Sequence, residues 1–303
     1  MVVESLTNPV SAEKRPYQMM LLGFLYSSVA IFFSLWIFYE YSSLIMVFLT
    51  VFACVPIVYN TIKLEESKDE GKCTERALLR EHCKALWAFM FLFLGITAGA
   101  VLWYVFLPNI GVIVSKIPII SDMFSFLSQP DAREVLFSTQ METFQSIQSG
   151  NVGMVAKMGN LKTILLNNLN VLMFCIVFSF VYGLGAIFIL TWNATVIGVA
   201  IGKFITEGLA RLTEASLVAK TAGYMQVFSI GFLKYLPHGV LEILAYFVGG
   251  LSGGIISVAV IKHRLGTNKF EKILLDSSDL LLIAVGLLIV AAFVEVYVTP
   301  VIF

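Results

Sequence analysis

The sequence predicts an all-α fold: a polytopic integral membrane bundle of about seven transmembrane helices, with re-entrant or interfacial helices between them. Three observations carry this. Of 303 residues, 58 % are hydrophobic and only 13 % charged, against about 25 % charged in a soluble domain. Mean hydropathy is +0.88, and apolar runs near the roughly 20 residues that span a bilayer recur along the chain. The 22 glycines and 25 phenylalanines suit helices that pack against one another and against lipid. Net charge is zero, so no basic balance points to nucleic acid, and the lipid bilayer is the first partner expected.

Residues 1–16 are polar and end in Lys14-Arg15 before an apolar run from Tyr17 to Phe38. That run exceeds a signal-peptide core and lacks a small-residue cleavage site, so it reads as an uncleaved first span. A turn around Glu40–Ser43 leads to a second helix, Leu44 to about Ile62, with a kink expected at Pro56. Residues 63–84 hold six Lys/Arg and six Asp/Glu, and the spacing of Glu75, Leu78, Leu79, His82 and Leu86 suggests a short charged helix on the membrane surface. The third helix is expected over Ala85–Leu107, ending before Pro108, with a Gly95-x-x-x-Gly99 pair. Residues 112–129 are apolar but interrupted by Lys116, Pro118 and Asp122, which predicts a re-entrant or interface-lying piece. From Asp131, a preferred N-cap residue type, the pattern Val135, Leu136, Met141, Phe144, Ile147 predicts an amphipathic surface helix.

Asn167-Asn168 is expected to open the fourth helix, ending near Thr191, and Asn193 a shorter fifth run to about Ile205 with Gly198-x-x-x-Gly202. The stretch 224–235 is too short to cross. The sixth helix, Leu236–His263, has Pro237 suited to a first turn. His238 and Glu242 lie four apart on one face, and Gly249, Gly250, Gly253 and Gly254 give two overlapping G-x-x-x-G pairs. A seventh helix is expected from about Ser278 to Val298, containing Glu295. Twelve of the twenty Lys/Arg fall in 1–16, 63–84 and 262–277, so the positive-inside rule predicts a cytoplasmic N-terminus in a multi-pass cell-membrane protein.

Under that topology Glu242 lies about 7.5 Å into its helix and Glu295 about as far from the outer end of its own, at 1.5 Å per residue. Asn167, Asn168 and His238 fall at the same level. Polar groups inside lipid must pair or line a wet cavity, and two adjoining carboxylates share a proton unless a cation intervenes; Lys234 is the nearest cation in sequence. The alternative for each is plain: Asn167 and Asn168 as N-caps, His238 as a structural hydrogen-bonding residue, both glutamates reaching headgroup water.

No H-E-x-x-H, G-x-S-x-G or G-x-x-x-x-G-K-[ST] occurs. His82-Cys83 is too few ligands for a metal, His263 beside Lys262 and Arg264 suits a headgroup contact, and no metal or cofactor is expected. Cys54, Cys73, Cys83 and Cys175 form no C-x-x-C and imply no disulfide framework.

Asn167-Asn168, Asn193, the block Leu236-Pro237-His238-Gly239-x-x-Glu242, and Glu295 before Thr299-Pro300 together resemble the stage II sporulation protein M family. The resemblance covers roughly 85–303 as a five-helix membrane core, with 1–84 an added two-helix extension carrying a charged cytoplasmic loop. The chain departs in having Asn193-Ala194 where Asn-Gly is expected, and is more similar to archaeal members. In sporulation members the resemblance implies a non-enzymatic scaffold that localises peptidoglycan hydrolases during engulfment, with no catalytic role for these residues. The expected function is therefore a membrane scaffold, with membrane or cell-envelope proteins as partners and glycine faces available for helix or homodimer contacts. The competing readings are a secondary transporter or channel using Glu242 and Glu295, and an intramembrane hydrolase on His238 and Glu242, for which no nucleophile is evident.

Overall fold

A computed structural model describes residues 9–69, 75–150, 157–182, 186–211, 217–261 and 266–302, and every regular element among them is helical. A short α1 (Pro9–Lys14) leads into α2 (Pro16–Ile37), then α3 (Ser42–Asp69) and α4 (Glu75–Ser115). Three small helices, α5 (Pro118–Met123), α6 (Ala132–Leu136) and α7 (Ser138–Gly150), precede the long α8 (Lys157–Tyr182), α9 (Ala186–Ala210), α10 (Leu217–Ile261) and α11 (Asn268–Phe293). A π turn over Val294–Val298 joins α11 to the final α12 (Thr299–Ile302). Seven stretches are long and apolar enough to cross a membrane, one in each of α2, α3, α4, α8, α9, α10 and the α11–α12 run.

α4 and α10 form the middle of the bundle. α4 packs on α2 and α9, and α10 on α8, α9 and α11. Glycine lets the backbones approach. A Cβ on Gly95 would collide with the Met20 carbonyl, and one on Gly23 with the Leu92 carbonyl, so α2 and α4 touch main chain to main chain. Gly99 faces Ser27 in the same seam. On α9, a Cβ at Gly198 would lie 2.6 Å from Ala100 Cβ and one at Gly202 2.6 Å from the Tyr104 ring. On α10, Gly249 faces Leu172, Gly253 comes within 2.6 Å of the Ile176 carbonyl, and Gly250 faces Ala186; Gly254 is buried. The predicted glycine pairs are thus taken up by contacts within one chain. The helices of 1–84 join the same apolar cores as the rest: Met19, Cys54 and Ile57 cluster with Phe89, Leu172 and Leu251.

Several expected boundaries are corrected. Pro108 and Pro237 lie inside α4 and α10 instead of at helix ends. Each removes one hydrogen bond to the preceding turn, a loss that packed neighbours make tolerable within a bundle. The residues 224–235 are consequently part of α10, not a separate piece. At 45 residues, α10 is about 68 Å long at 1.5 Å per residue, well beyond a hydrocarbon core of about 30 Å. Asn167-Asn168 sits mid-α8 and Asn193 mid-α9, because α8 begins at Lys157 and ends at Tyr182. The seventh helix starts ten residues early, at Asn268, where Thr267 caps it by accepting the Phe270 amide at 3.2 Å.

The charged stretch 63–84 forms no separate surface helix: its described residues extend α3 to Asp69 and begin α4 at Glu75. His82 Nδ1 lies 2.6 Å from Glu65 Oε2, both side chains buried. Beyond Ser115 the chain turns, and a 3₁₀ turn over Ser125–Ser128 packs back on α4, with Ser128 Oγ donating to the Gly111 carbonyl at 3.3 Å. Asp131 stands before α6 but does not cap it; its carboxylate accepts the Tyr39 hydroxyl at 2.8 Å. The expected amphipathic helix is broken at Phe137 into α6 and α7. α7 is pinned to the start of α3, where Gln140 Nε2 donates to the Ser43 carbonyl at 3.1 Å and Ser43 Oγ donates to Gln140 Oε1 at 2.8 Å. His263 and Cys73 fall outside the described residues.

Candidate functional site

α8, α9, α10 and the π turn line an open cavity of about 380 Å³, with Phe144 of α7 also in its wall. Asn167 and Asn168 enter it from α8, Asn193 from α9, His238 and Glu242 from α10, and Glu295 from the π turn. These six are the polar residues singled out by sequence, and the cavity collects all of them. Their helices bring them there by register. His238 and Glu242 lie one turn apart on α10, and Asn168 on α8 faces the same helix.

Asn168 Nδ2 donates to Glu242 Oε1 at 2.6 Å. Asn168 is buried, whereas Asn167 is exposed and its amide lies 3.5 Å from Asn168 Oδ1. The Glu242 and Glu295 carboxyls meet in the cavity wall, close enough to act on one another. Two carboxyl groups that close hold one proton between them more readily than both ionise. Three helices distant in sequence are therefore joined by one polar chain, Asn168–Glu242–Glu295.

The π turn sets the last link. Pro300 has no amide to offer Val296, and the Thr299 amide reaches back five residues to the Val294 carbonyl. An i→i+5 turn inserted in an α-helix re-aims the side chains around it, and here Glu295 faces Glu242. The same turn places Thr299 Oγ1 3.3 Å from His238 Nδ1, a second tie between α10 and the chain's end.

Lys234 is not the cation for the carboxyl pair. Its Nζ lies 5.4 Å from the Phe204 ring centroid and 6.0 Å from that of Tyr235, and the groups acting on Glu242 are Glu295 and Asn168. Pro237 and Gly239 serve the backbone: neither lines the cavity, and a Cβ on Gly239 would meet nothing within 4 Å. Asn193 donates to the Ile189 carbonyl of its own helix at 2.7 Å and lines the cavity. Sequence reasoning missed the aromatic wall of Phe144, Tyr235 and Tyr246, whose spacing reads as ordinary helix packing. At Tyr235 burial, then the charge of Glu207, raises the phenol above its ordinary value, so it stays a neutral donor.

The profile of the family described as stage II sporulation protein M matches residues 88–300. The chain belongs to that family. All six polar cavity residues lie in the matched region, as do three of the seven spans in full and two more in large part. A protein of Methanocaldococcus jannaschii, described as uncharacterized, is 32 % identical over 144 residues, which is 46 % of this chain and 71 % of that protein. No solved structure matches.

Proposed function

We propose that this stage II sporulation protein M family member is a non-enzymatic membrane scaffold, its polar cluster holding the core helices in one arrangement for assembly with other membrane or envelope proteins. The observation that carries the reading is the Asn168–Glu242–Glu295 chain, which ties α8, α10 and the π turn through side chains 74 positions apart at the first link and 53 at the second. A rigid bundle presenting fixed outer surfaces suits a platform. Its glycine seams are spent on internal packing, so partners would meet the flanking helices and their projecting ends, α7 and the first half of α10. The test is purification of the full chain in mild detergent with its native envelope, wild type beside Asn168→Leu. A stoichiometric partner that the wild type retains and the variant loses supports the scaffold. Monodisperse protein with no partner under the gentlest extraction sinks it.

A second reading, a secondary transporter or channel using Glu242 and Glu295, draws on the cavity itself, because carboxyl groups that line a cavity within membrane spans are where ion pathways run. A flux in liposomes that Glu242→Gln abolishes would replace the first reading with this one.

A further inference from the structure

The cavity is larger than its hydrogen bonds require. At about 380 Å³ it falls within the roughly 300–1,000 Å³ range of small-molecule sites. Its wall has two kinds of surface. One is rich in acceptors: the Glu242 and Glu295 carboxyls and the Asn193 carboxamide. The other is aromatic, formed by Phe144, Tyr235 and Tyr246. Among the described residues no Lys or Arg lines it. Two lysines engage aromatic residues of its wall or beside it, Lys203 5.9 Å from the Phe144 centroid and Lys234 over Phe204 and Tyr235.

Acceptors on one side and π faces on the other define an occupant that donates several hydrogen bonds, carries positive charge and has an apolar body. An ammonium group offers three donors and no acceptor, and aromatic faces attract cations within about 6 Å. A calcium ion takes about six to eight oxygen ligands, and the aromatic part of the wall offers it none, whereas an alkyl body packs against those rings.

We propose that the cavity binds a small organic ammonium ion, its nitrogen on the Glu242–Glu295 pair and its alkyl part against Tyr235 and Tyr246. The ammonium N–H groups take the place of the proton the two carboxyls share: one carboxyl O–H ionises, its proton passes to water or buffer, and one cation enters for each proton that leaves, so charge balances. The other titratable side chains facing the site are His238, Tyr235 and Tyr246, with Glu207 behind Tyr235. The proposal needs neither a protein partner nor a flux, and its readout is binding alone.

The test is isothermal titration calorimetry of the purified full chain in detergent with methylammonium and ethylammonium chloride, beside sodium chloride at equal ionic strength. Measurements in two buffers of different ionisation enthalpy count the protons. Saturable binding of the alkylammonium ions, none of sodium, and one proton released per ion are expected. Glu295→Gln should weaken binding at least tenfold and abolish the proton release. Asn193→Leu leaves the carboxyl pair untouched and gives up only a bond within α9, so it decides the matter should Glu295→Gln fail to fold; it too should weaken binding at least tenfold. No saturable heat with either amine, equal binding of sodium, or unchanged affinity in Asn193→Leu would overturn the proposal.

Discussion

Asn168 is the residue on which the polar chain turns, because it is buried and its amide donates directly to Glu242. Replacing it by leucine fills similar space but leaves a carboxyl oxygen facing hydrocarbon. Hydrogen bonds between membrane helices average only about 0.6 kcal/mol, since alternative partners are found when one is lost. Stranding a buried polar group costs more, about 1–3 kcal/mol, and the second effect should win here. Asn168→Leu is expected to lower the thermal midpoint of the detergent-solubilised protein by several degrees, while Asn167→Ala, at an exposed position with a 3.5 Å contact, should leave it unchanged. Equal midpoints for the two variants would remove Asn168 from the hub. A second prediction belongs to Glu295. Glutamine can donate to the Glu242 carboxylate in place of the shared proton, so Glu295→Gln should fold and keep the midpoint near wild type. Glu295→Leu strands Glu242 and should not.

At the scale of elements, backbone contact between α2 and α4 makes Gly95 the most sensitive seam. A Cβ there has only the Met20 main chain to displace, and overpacking a close contact costs about 1–3 kcal/mol. Gly95→Val should destabilise by at least that amount in thermal unfolding monitored by tryptophan fluorescence. Gly286→Ala, where a Cβ meets nothing within 4 Å, should be neutral or stabilising by up to about 1 kcal/mol from helix propensity. The same elements show what the sequence disclosed. The glycine pairs at 95/99 and 198/202 read as packing faces from spacing alone, and both are. The pairing of Glu242 with Glu295 followed from counting residues back from Pro237 and Pro300, even though Pro237 turned out to lie within a helix. Helix ends were poorly legible, because hydropathy registers only the stretch within lipid, whereas α4 and α10 run on past it, held by neighbours. The Asn193 run looked short for the same reason: its first turns, Ala186–Thr191, were assigned to the preceding helix when no polar residue marked the break. Aromatic cavity walls leave no pattern distinct from core packing, so Tyr235 and Tyr246 were invisible.

For the molecule as a whole, the sidedness of the bundle follows from where its charge lies. Twelve of twenty Lys/Arg fall in 1–16, 63–84 and 262–277, three segments separated by two and then four spans, and an even number of crossings puts them on one face. Basic residues flanking spans are retained on the cytoplasmic side, so the N-terminus and the α3–α4 connection should be cytoplasmic, and the cavity mouth near Pro237 should open toward the outside. The chain carries its own reporter of this. Cys83 is exposed near the start of α4, while Cys54 and Cys175 are buried within the bundle, and Cys73 falls in the same charged stretch as Cys83. A membrane-impermeant maleimide should therefore modify the protein in inside-out vesicles and spare it in right-side-out ones. Cys83→Ser with Cys73→Ser should eliminate the signal, which assigns it to the 63–84 segment. Modification confined to right-side-out vesicles would invert the bundle, and with it the compartment from which a cation could reach Glu242 and Glu295.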